Sequence, residues 1–176
     1  DLTPLLAFYA SPVGQKVVAL ELSGRRAFLE PDVEEEARRI WRDSPEAAPH
    51  ARAIRAYMEV NDLVERNVIA SMNADFTFLR AYFEGDADVN EALILADIWR
   101  EEDNIRADSA EWLFAYLAMA YGPLSPEEMQ ANLALWHTAE GRALNGALFD
   151  GFSAMVTSVS EELGRAAGRL LMQEEL

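Results

Sequence analysis

The sequence predicts an all-α protein, and three observations carry that reading. Apolar residues recur at intervals of three and four along most of the chain, and Pro, Ser and Asp capping signals punctuate those runs. Alternating patterns bounded by turn residues, which would mark strands, do not occur. At 176 residues and 51% hydrophobic composition, the chain has enough apolar side chains to fill a core. The expectation is a single-domain helical bundle over residues 1–176, with an internal helix-turn-helix repeat at its two ends, about 2–29 and 126–156.

The elements follow in order. Ser11-Pro12 supplies an N-cap and a Pro at the first helical position, and Val17, Val18, Leu20 and Leu22 give that helix an apolar stripe towards Leu29. Pro31 breaks it, and Asp32-Val33-Glu34-Glu35 reads as a capping box for a helix reaching Arg42. Ser44-Pro45 and Pro49 mark a loop. Ile54, Met58, Val64, Val68, Met72, Phe76, Leu79 and Phe83 then predict one long helix from Ala51 to Glu84, with its apolar stripe in the core. Gly85 ends it, and Asp88-Val89-Asn90-Glu91 caps a helix running towards Ile105. Asp108-Ser109-Ala110-Glu111 is read as the start of the most apolar helix, central and buried, which stops at Gly122-Pro123. Ser125-Pro126-Glu127-Glu128 combines cap, Pro and reciprocal Glu, the strongest helix start in the chain. From Ala139 to about Gln173, the residues Leu144, Leu148, Phe152, Met155, Val159, Leu163, Ala166 and Leu170 keep an 11-residue rhythm, near that of a straight α-helix. That helix carries Gly141, Gly146, Gly151, Gly164 and Gly168, each costing up to ~1 kcal/mol relative to Ala. Close approach of neighbouring helices is the expected reason, tightest at Gly164-Arg165-Ala166-Ala167-Gly168.

The chain repeats itself faintly. Phe8-Tyr9-Ala10-Ser11-Pro12-Val13-Gly14 is echoed by Leu135-Trp136-His137-Thr138-Ala139-Glu140-Gly141, and the same register pairs Gly24 with Gly151. Fifteen basic residues against 31 acidic ones give a net charge of -16, which repels nucleic acid and anionic membranes. No Cys is present, so disulfides and thiolate chemistry are excluded. The longest apolar run, Trp112 to Tyr121, is about half the ~20 residues of a membrane span, so no transmembrane segment is expected. The chain opens at Asp1 without a Met, which fits removal of an upstream signal peptide.

Leu113 to Ala167, with Ala120-Tyr121-Gly122-Pro123-Leu124-Ser125 leading into Thr138-Ala139-Glu140-Gly141-Arg142-Ala143-Leu144-Asn145, resembles a bacterial family known as domain of unknown function 2059. Phe8-Tyr9-Ala10-Ser11-Pro12-Val13-Gly14-Gln15 resembles the same signature. The resemblance implies a helical protein made with a signal peptide and placed in the periplasm or envelope of Gram-negative bacteria. It implies no activity and no catalytic residues.

Chemistry-bearing patterns are few. Asp86, Asp88, Asn90 and Asp97 stand at ligand positions of a calcium loop, but Glu91 replaces the turn glycine, and a glycine stop followed by a helix cap explains the same residues. His137 and Glu140 run in the reverse order of a di-iron motif, and His50 lies far along the chain, so no metal and no cofactor are expected; His137 reads as a helix-terminal residue. Ser109, Ser125 and Thr138 read as caps rather than nucleophiles. Glu101, Glu102 and Asp103 point in different directions around a helix and read as a solvated face, with Arg106 pairing Glu102. Arg66 flanks a core stripe between Val64 and Val68. Among the aromatic residues, Trp99, Trp112, Phe114, Tyr116 and Tyr121 are candidates for a recognition surface, with core packing as the plain alternative.

The expected function is a non-enzymatic protein- or ligand-binding module, whose candidate contact residues are Arg66, Trp99, Glu102, Arg106, Trp112 and Tyr116. Its partner would be a protein or a small apolar ligand. The alternatives are a dimerising scaffold, in which the glycine-lined face of the last helix meets a second copy, and an enzyme whose polar groups converge only in three dimensions.

Overall fold

The computed structural model describes residues 1–84 and 89–174, with side chains described through Leu170. The protein is all-α. Its helices are α1 (Thr3–Ala10), α2 (Pro12–Ala27), α3 (Pro31–Asp43), α4 (Ala51–Val60), α5 (Leu63–Tyr82), α6 (Glu91–Arg100), α7 (Glu102–Tyr121), α8 (Pro126–Trp136) and α9 (Ala139–Glu174), with a 3-10 turn at Pro45–Ala47. They divide into two compact units, Asp1–Val64 with Asp108–Gly146, and Glu65–Ala107 with Ala147–Leu176.

In the first unit, α2 and α4 pack on α8, and α1 packs on α2. Tyr121, Phe114, Ile54 and Met129 are fully buried there, and the apolar stretch Leu113–Leu117 of α7 is buried throughout. Edge-to-face ring contacts tie the elements together: Tyr57 meets both Tyr121 and Trp136, with centroids 5.6 and 5.8 Å apart. The predicted capping box at Ser125 forms in full, Ser125 Oγ accepting from Glu128 N–H and Glu128 accepting from Ser125 N–H. Lys16 on α2 holds the same Glu128 at 2.5 Å.

The two echoed segments make the same corner between helices. Ser11 Oγ donates to the Phe8 carbonyl at 2.6 Å and accepts from Gly14 N–H at 3.1 Å; Thr138 Oγ1 donates to the Leu135 carbonyl at 2.6 Å and accepts from Gly141 N–H at 2.9 Å. A Cβ on Gly14 would lie 2.1 Å from the Phe8 carbonyl oxygen, and one on Gly141 would lie 2.2 Å from that of Leu135. The hydroxyl links the end of one helix to the start of the next, and only glycine admits so tight a turn. The likeness stops short of Gly24 and Gly151: Gly24 packs on Ala120 and Tyr116, whereas Gly151 meets nothing within 4 Å.

Several expected boundaries move. The predicted helix from Ala51 to Glu84 is two helices, parted at Asn61-Asp62, where Asp62 adopts a left-handed φ of 52°. Asn and Asp tolerate that region better than other side chains. Asn61 is buried, donates to the Tyr57 carbonyl at 3.0 Å and accepts at its own carbonyl from Asn145 at 2.9 Å, so the break is built into the core. Asp32 lies inside α3 rather than at its cap, because Glu30 takes the cap position and Pro31 the first turn. Asp108 is not a helix start either: α7 begins at Glu102, with Glu102 and Asp103 at the positive end of its dipole. Asn90, accepting from Ala92 N–H at 2.9 Å, caps α6; Gly85, Asp86 and Asp88 lie outside the described residues.

In the second unit, α9 crosses α5 at very close range. A Cβ on Gly164 would stand 2.3 Å from the Phe78 carbonyl oxygen, and one on Gly168 would stand 2.3 Å from that of Tyr82. The expected tight crossing is therefore formed within the chain, and this glycine face is not free to meet a second copy. Gly146 and Gly151 have no such neighbour within 4 Å, so close packing does not account for them.

These environments have opposite consequences for substitution. Gly164→Ala is expected to lower unfolding free energy by about 1–3 kcal/mol, since backbone would have to move. Gly151→Ala, in open space on a helix, is expected to raise it by up to ~1 kcal/mol. Urea unfolding followed by circular dichroism measures both, and equal effects would contradict the packing described.

Candidate functional site

The titratable cluster of the first unit centres on Glu21. Its carboxylate accepts from the Tyr121 hydroxyl at 2.5 Å, and its backbone carbonyl accepts from the Tyr116 hydroxyl at 3.0 Å. The Tyr57 ring meets the Tyr121 ring edge-on, centroids 5.6 Å apart. Burial raises the Glu21 carboxyl above its ordinary value, opposed by the Tyr121 hydrogen bond and by Arg25. Burial likewise pushes Tyr121 and Tyr57 up, with the Glu21 charge adding to it. Tyr9 is raised for the same two reasons. Tyr121 and Tyr116 thus direct their hydroxyls at the carboxyl and the backbone carbonyl of one acid.

Glu21 was not among the residues expected from sequence. Its signal was its place on α2: Val17, Glu21, Gly24 and Phe28 fall four, three and four apart on one face, and the other three are buried. A carboxylate inside an apolar register is the kind of residue that needs a partner.

The six expected contact residues separate. Trp112 and Tyr116 stack in the first unit, with centroids 5.3 Å apart, and both rest edge-on against Phe28. Tyr116 is buried, as are Phe114 and Tyr121, so these rings form core rather than a presented surface. In the second unit, Arg106 donates to Glu65 at 2.7 Å and to Glu102 at 2.8 Å, the second being the pairing expected from spacing. These half-exposed pairs are screened by solvent and contribute little stability. The Arg66 guanidinium lies 5.3 Å from the Phe149 ring centroid, and its Nε is buried without a hydrogen-bond partner among the described residues. Trp99 stands exposed on α6. His50 Nε2 donates to the Leu124 carbonyl at 2.8 Å, and His137 caps α8, its carbonyl accepting from Arg142. Among the described residues no group of three or more His, Cys, Asp or Glu is placed to hold a metal ion.

The most unusual surface belongs to α9. Amphipathic helices ordinarily turn their large apolar side chains inward. Here Leu148, Phe152, Met155, Val159, Leu163 and Leu170 are 45–63% exposed, and Ala166 is exposed with them. Of the periodic stripe read from sequence, Leu144 alone packs against the core of the first unit. The opposite side of the helix carries the buried Gly164 and Gly168. The result is an apolar ridge of six helical turns, about 33 Å long.

Residues 1–43 match the model of a family described as "Uncharacterized protein conserved in bacteria (DUF2059)". The match covers the segment from which Phe8–Gln15 was compared with that family and does not extend to Leu113–Ala167. No curated protein and no solved structure matches the chain. No helix among the described residues is long and apolar enough to cross a membrane.

The raised carboxyl of Glu21 has a pH consequence. The folded state holds its proton to a higher pH than an ordinary carboxyl would, so ionising Glu21 weighs against folding as pH rises through that window. Compared with the parent, Glu21→Gln should therefore gain in urea midpoint as pH rises above the ordinary carboxyl range. A difference that stays constant with pH would show that Glu21 ionises without cost.

Proposed function

We propose that this chain is a non-enzymatic protein-binding module of the bacterial envelope and that it binds through the α9 ridge. The observation that carries the reading is the ridge itself: six large apolar side chains, about half exposed, which with Ala166 keep one helical register. Contiguous exposed apolar surface on this scale marks interaction sites. The ridge side chains bear no charge, in a chain whose net charge is -16, so an acidic protein partner meets little repulsion from them.

Support for a non-enzymatic role comes from the way the chemistry-bearing residues are spent. Tyr116 and Tyr121 satisfy Glu21 and backbone, and Arg106 is shared between two carboxylates. Envelope placement rests on the resemblance to the family that residues 1–43 match, which implies a protein generally made with a signal peptide. The matching corners at Ser11–Gly14 and Thr138–Gly141 support reading the two ends as copies of one helix-turn-helix unit.

Photo-crosslinking in the producing bacterium tests the binding reading. A benzophenone amino acid replacing Phe152 should give a protein adduct, and the same probe replacing Asp150, exposed on the other side of α9, should not. No adduct at 152, or equal adducts at both positions, would remove the ridge as a binding surface.

A further inference from the structure

The ridge has a symmetry of its own. Its spacing from Leu148 to Leu170 runs four, three, four, four, three, four, which reads the same in both directions about Val159. Reversal through Val159 carries Leu148 onto Leu170, Phe152 onto Ala166 and Met155 onto Leu163. From this we infer that the partner of the ridge is a second copy of the chain, docked antiparallel with α9 against α9 and Val159 on the two-fold axis. The inference rests on the binding reading above and names its partner.

Three properties favour that occupant. A two-fold interface is isologous: each residue meets the one its own reversal specifies, so a palindromic stripe satisfies it at every layer. In the antiparallel register, Phe152, the largest side chain of the ridge, faces Ala166, the smallest. A parallel pair would oppose Phe152 to Phe152 and Ala166 to Ala166, crowding one layer and leaving a gap in another. The 11-residue rhythm keeps the stripe nearly straight along the helix, so two such helices stay in contact over its whole length.

Area and charge agree with this. Six half-exposed large apolar side chains offer on the order of 600 Å² per copy, near the roughly 800 Å² per partner of a standard interface. Between residues 148 and 170, Asp150, Glu161 and Glu162 stand against Arg165 and Arg169, leaving one excess negative charge where the chain as a whole carries -16. Two copies can therefore meet along α9 without opposing their main charge. Gly164 and Gly168 take no part, being buried against α5.

The absence of cysteine makes the test clean. In an antiparallel pair of packed helices only the axial residue faces its own counterpart within disulfide reach, a Cα separation of about 4.4–6.8 Å. Val159→Cys should oxidise readily to a covalent dimer. Leu148→Cys alone and Leu170→Cys alone should remain monomeric on a denaturing gel, and an equimolar mixture of the two should form the mixed dimer. In sedimentation equilibrium the unmodified chain should have twice the chain mass, and Val159→Glu, at an exposed position, should weaken association at least tenfold with helicity unchanged. Self-linking at Leu148→Cys equal to that at Val159→Cys would overturn the antiparallel arrangement. A chain monomeric at about 100 µM would overturn the second copy, and its binding to phosphatidylcholine vesicles would assign the ridge to lipid instead. If the Phe152 crosslink yields an adduct other than twice the chain mass, the second copy fails while the binding reading stands. If it yields none, both fail.

Discussion

The orientation of α9 depends on two missing Cβ atoms. Gly164 and Gly168 bring its backbone against the carbonyls of Phe78 and Tyr82, at a separation that any side chain on those two residues would violate. A helix held that closely by one face has its rotation about its own axis set. The opposite face, which carries Leu148, Phe152, Met155, Val159 and Leu163, is then turned outward. In most amphipathic helices the large side chains would win that competition, because burying each stabilises by about 1.5–3 kcal/mol. Here the small face packs and the large one is left exposed. A surface arranged in this way is what a protein with a partner would present.

Glycine serves a different purpose at the corners. At Gly14 and Gly141 the crowding is local, between the start of one helix and a carbonyl at the end of the previous one, and a hydroxyl three residues earlier bridges the two. The bend is thereby specified by a pair of residues rather than by a long loop, so α1 leads directly into α2 and α8 into α9. At Ser125 a full capping box starts α8, so the helix on which α2 and α4 pack is defined at both ends by hydroxyl side chains.

Some of this architecture was legible and some was misread for identifiable reasons. The stripe in the long segment after Ala51 has one step of six residues, from Met58 to Val64, among steps of three and four. The structure breaks there, at Asn61-Asp62, so the irregular step was the signal. Helix starts were read at Asp32 and Asp108, each three residues before a Glu, and both positions lie within a helix. Asp108 and Glu111 instead receive Arg38, at 2.8 and 3.2 Å, across a separation in sequence that no local pattern reports. Glu21 went unrecognised because a single acid within an apolar run looks like the exposed side of an amphipathic helix. Its partners Tyr116 and Tyr121 lie about a hundred residues away in the chain.

What the sequence determined by itself is what depends on near neighbours: helical class, the Ser125 cap, the Ser/Thr–Gly corners and the 11-residue rhythm of the last helix. Each is set by backbone hydrogen bonding and side-chain periodicity within a few residues. Tertiary structure decided which side of each stripe is covered. The rhythm of α9 is identical whether its ridge faces a core or faces out, since periodicity specifies a face and not its neighbour. Only the close approach of Gly164 and Gly168 to α5 distinguishes the two, and that approach exists only once distant segments have packed.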